Sequence, residues 1–169
     1  MQRLRARLSE LDRRRRHRAS ARALLRLGAE PESWLDIATG DAHFPAAAKE
    51  LFPYTSFDGL DATGRVEAAR GADRVEEAHV GAPTDPHITR ALTGRYDVIS
   101  LLGPTEHLGA ALAFLRPGGH VLVETASPDA VRAELAAHAC AIVPTDRHPA
   151  LDRLSRTTRI IARRAPSPA

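Results

Sequence analysis

The chain reads as an α/β protein. It should form a doubly wound, mostly parallel, seven-stranded Rossmann-like sheet with an antiparallel last strand and an N-terminal helix. Three observations predict this. Short apolar runs alternate with amphipathic segments over residues 33–143, and strands separated by single helices make right-handed βαβ units. The last two apolar runs are joined only by residues 144–156; so short a connection suits an antiparallel pair. The 169 residues are 43% hydrophobic and 27% charged, enough for one core and close to globular averages.

Each element follows from its pattern. Leu4, Leu8 and Leu11 fall at helical spacing, and Leu24, Leu25 and Leu27 resume an apolar face beyond an Arg13-Arg14-Arg15-Arg16-His17-Arg18 run. This predicts one long helix over about residues 3–26, docked at its ends, solvated in the middle, and stopped by Gly28 and Pro31. Residues 33–38 form the first strand and 44–51 a helix. Residues 54–60 and 74–80 supply the next two strands, followed by helices over 64–70 and 85–92 respectively. The strongly apolar 96–102 run is the fourth strand. A brief helix over 106–115 leads into an Arg116-Pro117-Gly118-Gly119 turn and a fifth strand over 120–124. Pro128 opens a helix reaching residue 138, at a position where the missing proline N–H costs little. The last strands are 139–143 and 157–162. The division is therefore a basic N-terminal helix (1–28), a Rossmann-like domain (29–164) and a disordered tail (165–169).

Composition excludes several functions. Aromatics are 4%, too few for a base-stacking surface. Cys140 is the single cysteine, so neither a disulfide framework nor a Cys-rich zinc site is expected. The eight histidines are scattered without HExxH or paired spacing, and no metal is expected. No G-x-S-x-G elbow supports covalent hydrolysis. Charge is uneven: residues 1–26 hold ten arginines against Glu10 and Asp12, while the remainder carries 14 basic and 19 acidic side chains. A basic arm thus precedes a mildly acidic body. No run reaches the roughly 20 apolar residues of a membrane span, and no apolar stretch follows the arginines as in a secretory signal. A cytoplasmic location is the expectation.

A sheet of this kind binds ligands beyond the carboxyl ends of its strands, where strand order reverses. After the first strand comes Asp36-Ile37-Ala38-Thr39-Gly40-Asp41-Ala42, whose small residues let backbone approach a ligand closely. A dinucleotide site wants three glycines here; only Gly40 is present, and Asp36 and Asp41 would repel a pyrophosphate. Two carboxylates suit a ligand carrying an ammonium or sulfonium group. Asp61 lies 25 residues beyond Asp36, at the predicted end of strand two. An acid there accepts hydrogen bonds from a ribose diol, with capping of the next helix as the competing role.

These segments resemble the class I S-adenosylmethionine-dependent methyltransferases over about residues 33–164. Residues 34–42 resemble that family's first motif, with Ala38 and Ala42 standing where glycines are usual. Leu60-Asp61 resembles the acidic end of its second strand. Residues 96–100 followed by Glu106-His107-Leu108 resemble its fourth-strand motif, and Leu115-Arg116-Pro117-Gly118-Gly119-His120-Val121 its approach to strand five. The resemblance implies S-adenosyl-L-methionine as cofactor. The methionine part would lie on Ala38, Thr39, Gly40 and Asp41, with Asp36 beside them, the ribose on Asp61 and Ala62, and the adenine near Val80, Gly81 and Ala82. The methyl group would face Leu102, Gly103 and Pro104. Such transfer needs positioning more than a metal or a dedicated base.

The function expected is methyl transfer to a small-molecule acceptor, with His107 beside Glu106 as a candidate general base. Capping of the short helix is the competing role for His107. Two alternatives stay open, the first raised by the two alanines, the short helix after strand four and the lack of an added lid segment, the second by the arginine run. One is a non-catalytic cofactor-binding or scaffold subunit, in a homodimer or with a partner. The other is an RNA methyltransferase gripping phosphates with the arginine run, although a solvated helix face is the plainer role for that run.

Overall fold

The computed structural model describes residues 2–28, 30–144 and 157–166, with the backbone alone for 2–8. Its strands are β1 (Ser33–Ile37), β2 (Ser56–Asp61), β3 (Ala78–Val80), β4 (Tyr96–Leu101), β5 (Leu115–Thr125), β6 (Cys140–Ile142) and β7 (Thr158–Arg164). The helices are α1 (Gln2–Arg22), α2 (His43–Ala48), α3 (Arg65–Gly71), α4 (Pro86–Leu92), α5 (Leu108–Leu112) and α6 (Pro128–Ala137), with a 3-10 turn over Leu24–Leu27. All seven strands join one sheet in the order β3-β2-β1-β4-β5-β7-β6. β1 pairs in parallel with both β2 and β4, so strand order reverses beside it. β7 runs antiparallel to β5 and β6, as its short connection to β6 predicts. No described helix is long and apolar enough to cross a membrane.

Alternation along the strands sends side chains to two apolar layers. On one face, the fully buried Trp34 ring stacks on Phe57 at 5.2 Å, with Phe52 at 5.4 Å and Phe44 at 5.6 Å. Ala21 and Leu24 close that layer from the N-terminal segment. On the other face Leu35, Ile99, Leu101 and Val121 pack beneath α4, α5 and α6 through Leu92, Leu112 and Leu135. A third, small cluster of Ala42, Val66, Ala69 and Val75 seats α3.

Several boundaries differ from the sequence reading, each for a visible reason. The N-terminal helix docks through its middle: the His17 ring meets Phe44 edge-on at 5.8 Å, and Arg14 and Arg18 both pair with Glu50. The C-terminal end of the helix docks as expected, through Ala21 and Leu24, whereas Leu11, expected on the docked face, stays 56% exposed. β3 begins at Ala78 rather than residue 74, because Val75 turns into the α3 cluster instead of alternating on the sheet. The Arg116-Pro117-Gly118-Gly119 segment is a bulge inside one long β5, not a turn before it: Leu115 pairs with Tyr96 and His120 already with Val98. Gly118 takes φ 80° there. A Cβ on Gly119 would come within 2.9 Å of the Asp97 carbonyl, so the close approach demands glycine. Residues 144–156 and the tail fall largely outside the described residues, as does His148.

One buried polar group ties the chain's two ends together. Arg159 of β7 donates from Nε and Nη2 to Glu124 Oε1 at 3.0 and 2.8 Å, from Nη2 to Ser20 Oγ at 2.6 Å, and from Nη1 to the Ala19 carbonyl at 3.1 Å. Ser20 also donates to Glu124. The Arg159 side chain is 9% exposed, so its charge persists because every contact compensates for lost water.

Candidate functional site

The strand order reverses beside β1, so the loops after β1, β2 and β4 come together beyond the carboxyl ends of those strands, where a sheet of this kind opens its ligand crevice. Its floor is the loop after β1. Ala38, Gly40 and Ala42 adopt φ of 56°, 54° and 52°, all left-handed, a conformation that costs a residue with a Cβ about 1–2 kcal/mol. The motif's usual glycine positions are therefore the positions where this backbone turns left-handed, and two of them carry the strain of an alanine. A backbone bond from Thr39 N–H to the Leu60 carbonyl at 3.2 Å stitches this loop to the end of β2, and Gly81 N–H to the Asp61 carbonyl at 2.9 Å ties the end of β3 to β2.

Asp61 organises the upper surface. Its Oδ2 accepts the Gly40 N–H at 2.8 Å, and its Oδ1 accepts Thr63 N–H at 2.9 Å and Thr63 Oγ1 at 2.6 Å. Partial burial pushes this carboxyl up, but those bonds and the nearby Arg65 charge bring it below the usual carboxylate range. Ala62 is exposed beside it. At the end of β3, Val80 is 42% exposed. A Cβ on Gly81 would meet Asp85 Oδ2 at 2.8 Å and Ile88 Cγ1 at 2.9 Å, so a bare backbone is required there.

Asp36 lies lower than the sequence reading placed it. The residue is 4% exposed and its carboxylate is bonded beneath the loop, Oδ1 accepting from Ser100 Oγ at 2.6 Å and Oδ2 from Thr39 Oγ1 at 2.7 Å. The Trp34 indole N–H in turn donates to Ser100 Oγ at 3.0 Å. Burial, reinforced by the Asp61 charge, raises the Asp36 pKa to about 6 despite those bonds. Asp36 thus braces the loop from below, and Asp41 is the carboxylate that faces out. Its partner was missed in the sequence: Arg65, the first residue of α3, donates to Asp41 from Nε at 3.1 Å and Nη2 at 2.6 Å. That bond holds the Asp41 carboxyl below its usual range. Arg74 donates to the Asp41 carbonyl at 2.8 Å. Nothing in spacing alone singles out Arg65; Ser100 left a trace as a lone hydroxyl in an apolar strand, which demands a buried partner.

The other side of the crevice is sparser. Leu102 packs part-buried against the Trp34 layer, while Gly103 and His107 are exposed. His107 precedes α5 without a side-chain capping bond, so the capping role is not the one it plays here. The structure brings Asp36, Thr39, Gly40, Asp41 and Asp61 into one bonded group and shows no such bond to His107 among the described residues.

Away from the crevice, strand register aligns Asp58, Glu77 and His79 within 4.8 Å of one another. Sequence spacing did not reveal this trio. Tyr96 donates to Asp58 at 2.7 Å, and Arg95 lies 3.0 Å from Glu77 and 4.0 Å from Asp58, supplying the cation itself.

A family profile for a methyltransferase domain matches residues 11–163. No curated protein sequence matches the chain. One solved chain comes from the complex between the Haloferax volcanii Trm112 methyltransferase activator and a methyltransferase. It superposes with TM-score 0.69 at 16% identity, over 97% of this chain and 95% of that one. An O-methyltransferase family protein from Burkholderia thailandensis gives 0.60 at 17% identity over 82% of this chain and 52% of that one. Human N-acetylserotonin methyltransferase in complex with SAM gives 0.61 at 12% identity over 86% and 51%. The chain therefore spans about half the length of the latter two.

Proposed function

Because the chain belongs to the class I methyltransferase family, we propose that it binds S-adenosyl-L-methionine in this crevice and methylates a small-molecule acceptor. The observation that carries the reading is the 2.8 Å bond from Gly40 N–H to Asp61 Oδ2, which sets the glycine loop and the strand-two acid side by side at the strand-order reversal. The residues fit the cofactor. Asp61 uses one lone pair of Oδ2 on Gly40, and a carboxylate oxygen keeps another for a ribose hydroxyl. Asp61 favours a sulfonium cation and disfavours a diphosphate; the Asp41 charge is taken up by Arg65 in this structure. The exposed Val80 offers an apolar edge for the adenine next to Ala62, with Asp85 and Ile88 packed against Gly81 behind it. Thr39 and the left-handed Ala38 shape the floor, braced by Asp36.

Bound there, the cofactor supplies a methyl group on a sulfonium, a leaving group that needs no metal. The chain's part is to orient: Asp61 and Gly40 fix one end, while Leu102 and Gly103 face the acceptor and limit its approach to one line. His107, exposed on that side, is the proposed base for a hydroxyl or amine.

Calorimetric titration with S-adenosylhomocysteine tests the reading, and one-to-one binding in the micromolar range is expected. No heat at millimolar ligand overturns it. A second reading has a specific observation behind it: the near end-to-end superposition is with a chain from a complex with an activator. On that reading a partner chain completes the acceptor pocket, and methyl transfer by the isolated chain would exclude it. The RNA reading draws less support. Arg14 and Arg18 are paired with Glu50, Arg13 lies 3.6 Å from Glu10, and Arg16 lies 3.5 Å from Asp12.

A further inference from the structure

We infer that Arg65 is a latch on the proposed cofactor site, closed over Gly40 by its ion pair with Asp41 and displaced when ligand binds. The inference rests on the cofactor reading above. A glycine in such a loop leaves room for a ligand. Here that room is taken by the protein: the three nearest atoms that a Cβ on Gly40 would meet are Arg65 Nη2, Cζ and Nη1, at 3.3, 3.4 and 3.6 Å. The guanidinium is held there by the two-point contact with Asp41.

The geometry makes Arg65 the part that moves. Its side chain is 60% exposed and that of Asp41 44%, so water competes for both charges. The bonds beneath do not depend on it. Gly40 stays tied to Asp61, Thr39 to Asp36, and the Asp41 carbonyl to Arg74. Release of Arg65 therefore frees the face of Gly40 without undoing the loop. It also unmasks the Asp41 carboxylate, so the site gains negative charge as it opens. A cationic or zwitterionic ligand thus meets a better-matched surface in the open state than in the closed one. A closed state that ligand must first open lowers the apparent affinity by the fraction of time the site is open.

The test uses the full chain and Arg65→Gln, titrated with S-adenosylhomocysteine at about 0.05 M and about 0.5 M sodium chloride. Salt screens both the latch and the ligand's contact with Asp41, so the difference between the two proteins is what is read. Arg65→Gln should bind about two- to fivefold more tightly than the parent at low salt. That gap should narrow at high salt. Equal or weaker binding by Arg65→Gln overturns the latch. A ligand-free readout keeps the two readings separate: the Asp41 carboxyl, held below its usual range by the Arg65 bond, should titrate higher in Arg65→Gln than in the parent, and an unchanged titration counts against the latch. If neither protein binds S-adenosylhomocysteine, the cofactor reading falls and the Asp41 titration still judges the latch.

Discussion

The loop after β1 and the loop after β4 flank the same crevice, yet they are built differently. The first is tied from below by Asp36, from the side by Asp61 and from above by Arg65. The second exposes Gly103, Pro104, Glu106 and His107. The contrast teaches where the fold commits its hydrogen bonds. The side proposed for the cofactor is held rigidly, and the side proposed for the acceptor is left open to be completed by substrate or partner.

The contrast can be broken at its base. Trp34→Ala removes the ring around which Phe44, Phe52 and Phe57 pack and the donor to Ser100. It should cost about 3–5 kcal/mol in urea unfolding, whereas His107→Ala should change stability by less than about 0.5 kcal/mol. Equal costs would erase the distinction between the two loops.

A pH series sharpens it. The Asp36 pKa is raised from 3.8 to about 6 by burial, so the folded state favours the protonated carboxyl. That contribution is full below about pH 4 and is lost as pH rises through about 6, a change of about 2–3 kcal/mol. The difference in urea midpoint between Asp36→Asn and the parent should therefore grow over this window, in favour of the variant at neutral pH. A flat difference would mean that Asp36 ionises as freely as an exposed acid.

Ligand binding should divide the loops in the same way. Asp61→Ala should weaken S-adenosylhomocysteine binding about ten- to a hundredfold, from the loss of charged hydrogen bonds, and His107→Ala by less than about twofold. With a suitable acceptor, His107→Ala should instead lower turnover, by about a hundredfold or more if it is the base. The smallest effect concerns backbone strain. Ala38→Gly, at an exposed left-handed position, should stabilise the protein by about 1 kcal/mol. Ala42→Gly should gain almost nothing, because the Ala42 methyl is fully buried and its removal gives back about 0.8 kcal/mol.

Much of this was legible in the residues. Alternation of strands and helices and the short last connection predict the sheet, and the spacing from Asp36 to Asp61 marks the two loops that meet. The bulge in β5 was not legible, because Pro117-Gly118-Gly119 has the chemistry of a turn and only pairing with β4 shows the strand continuing through it. Nor was the depth of Asp36. Its partner Ser100 is 64 residues away, and only strand register brings the two together. Arg65 escaped notice for the opposite reason, since an arginine opening a surface helix carries no mark of what it leans over.

The Ser20–Glu124–Arg159 group has a consequence for synthesis. Ser20 and Arg159 are 139 positions apart, and Glu124 sits in a strand that needs β7 as its outer neighbour. While the ribosome is still making residues 126–158, Glu124 has no arginine to meet and the far edge of the sheet has no cover. The first helix can already rest on Phe44 and Glu50, and its contacts with Arg159 close only when the last long strand arrives.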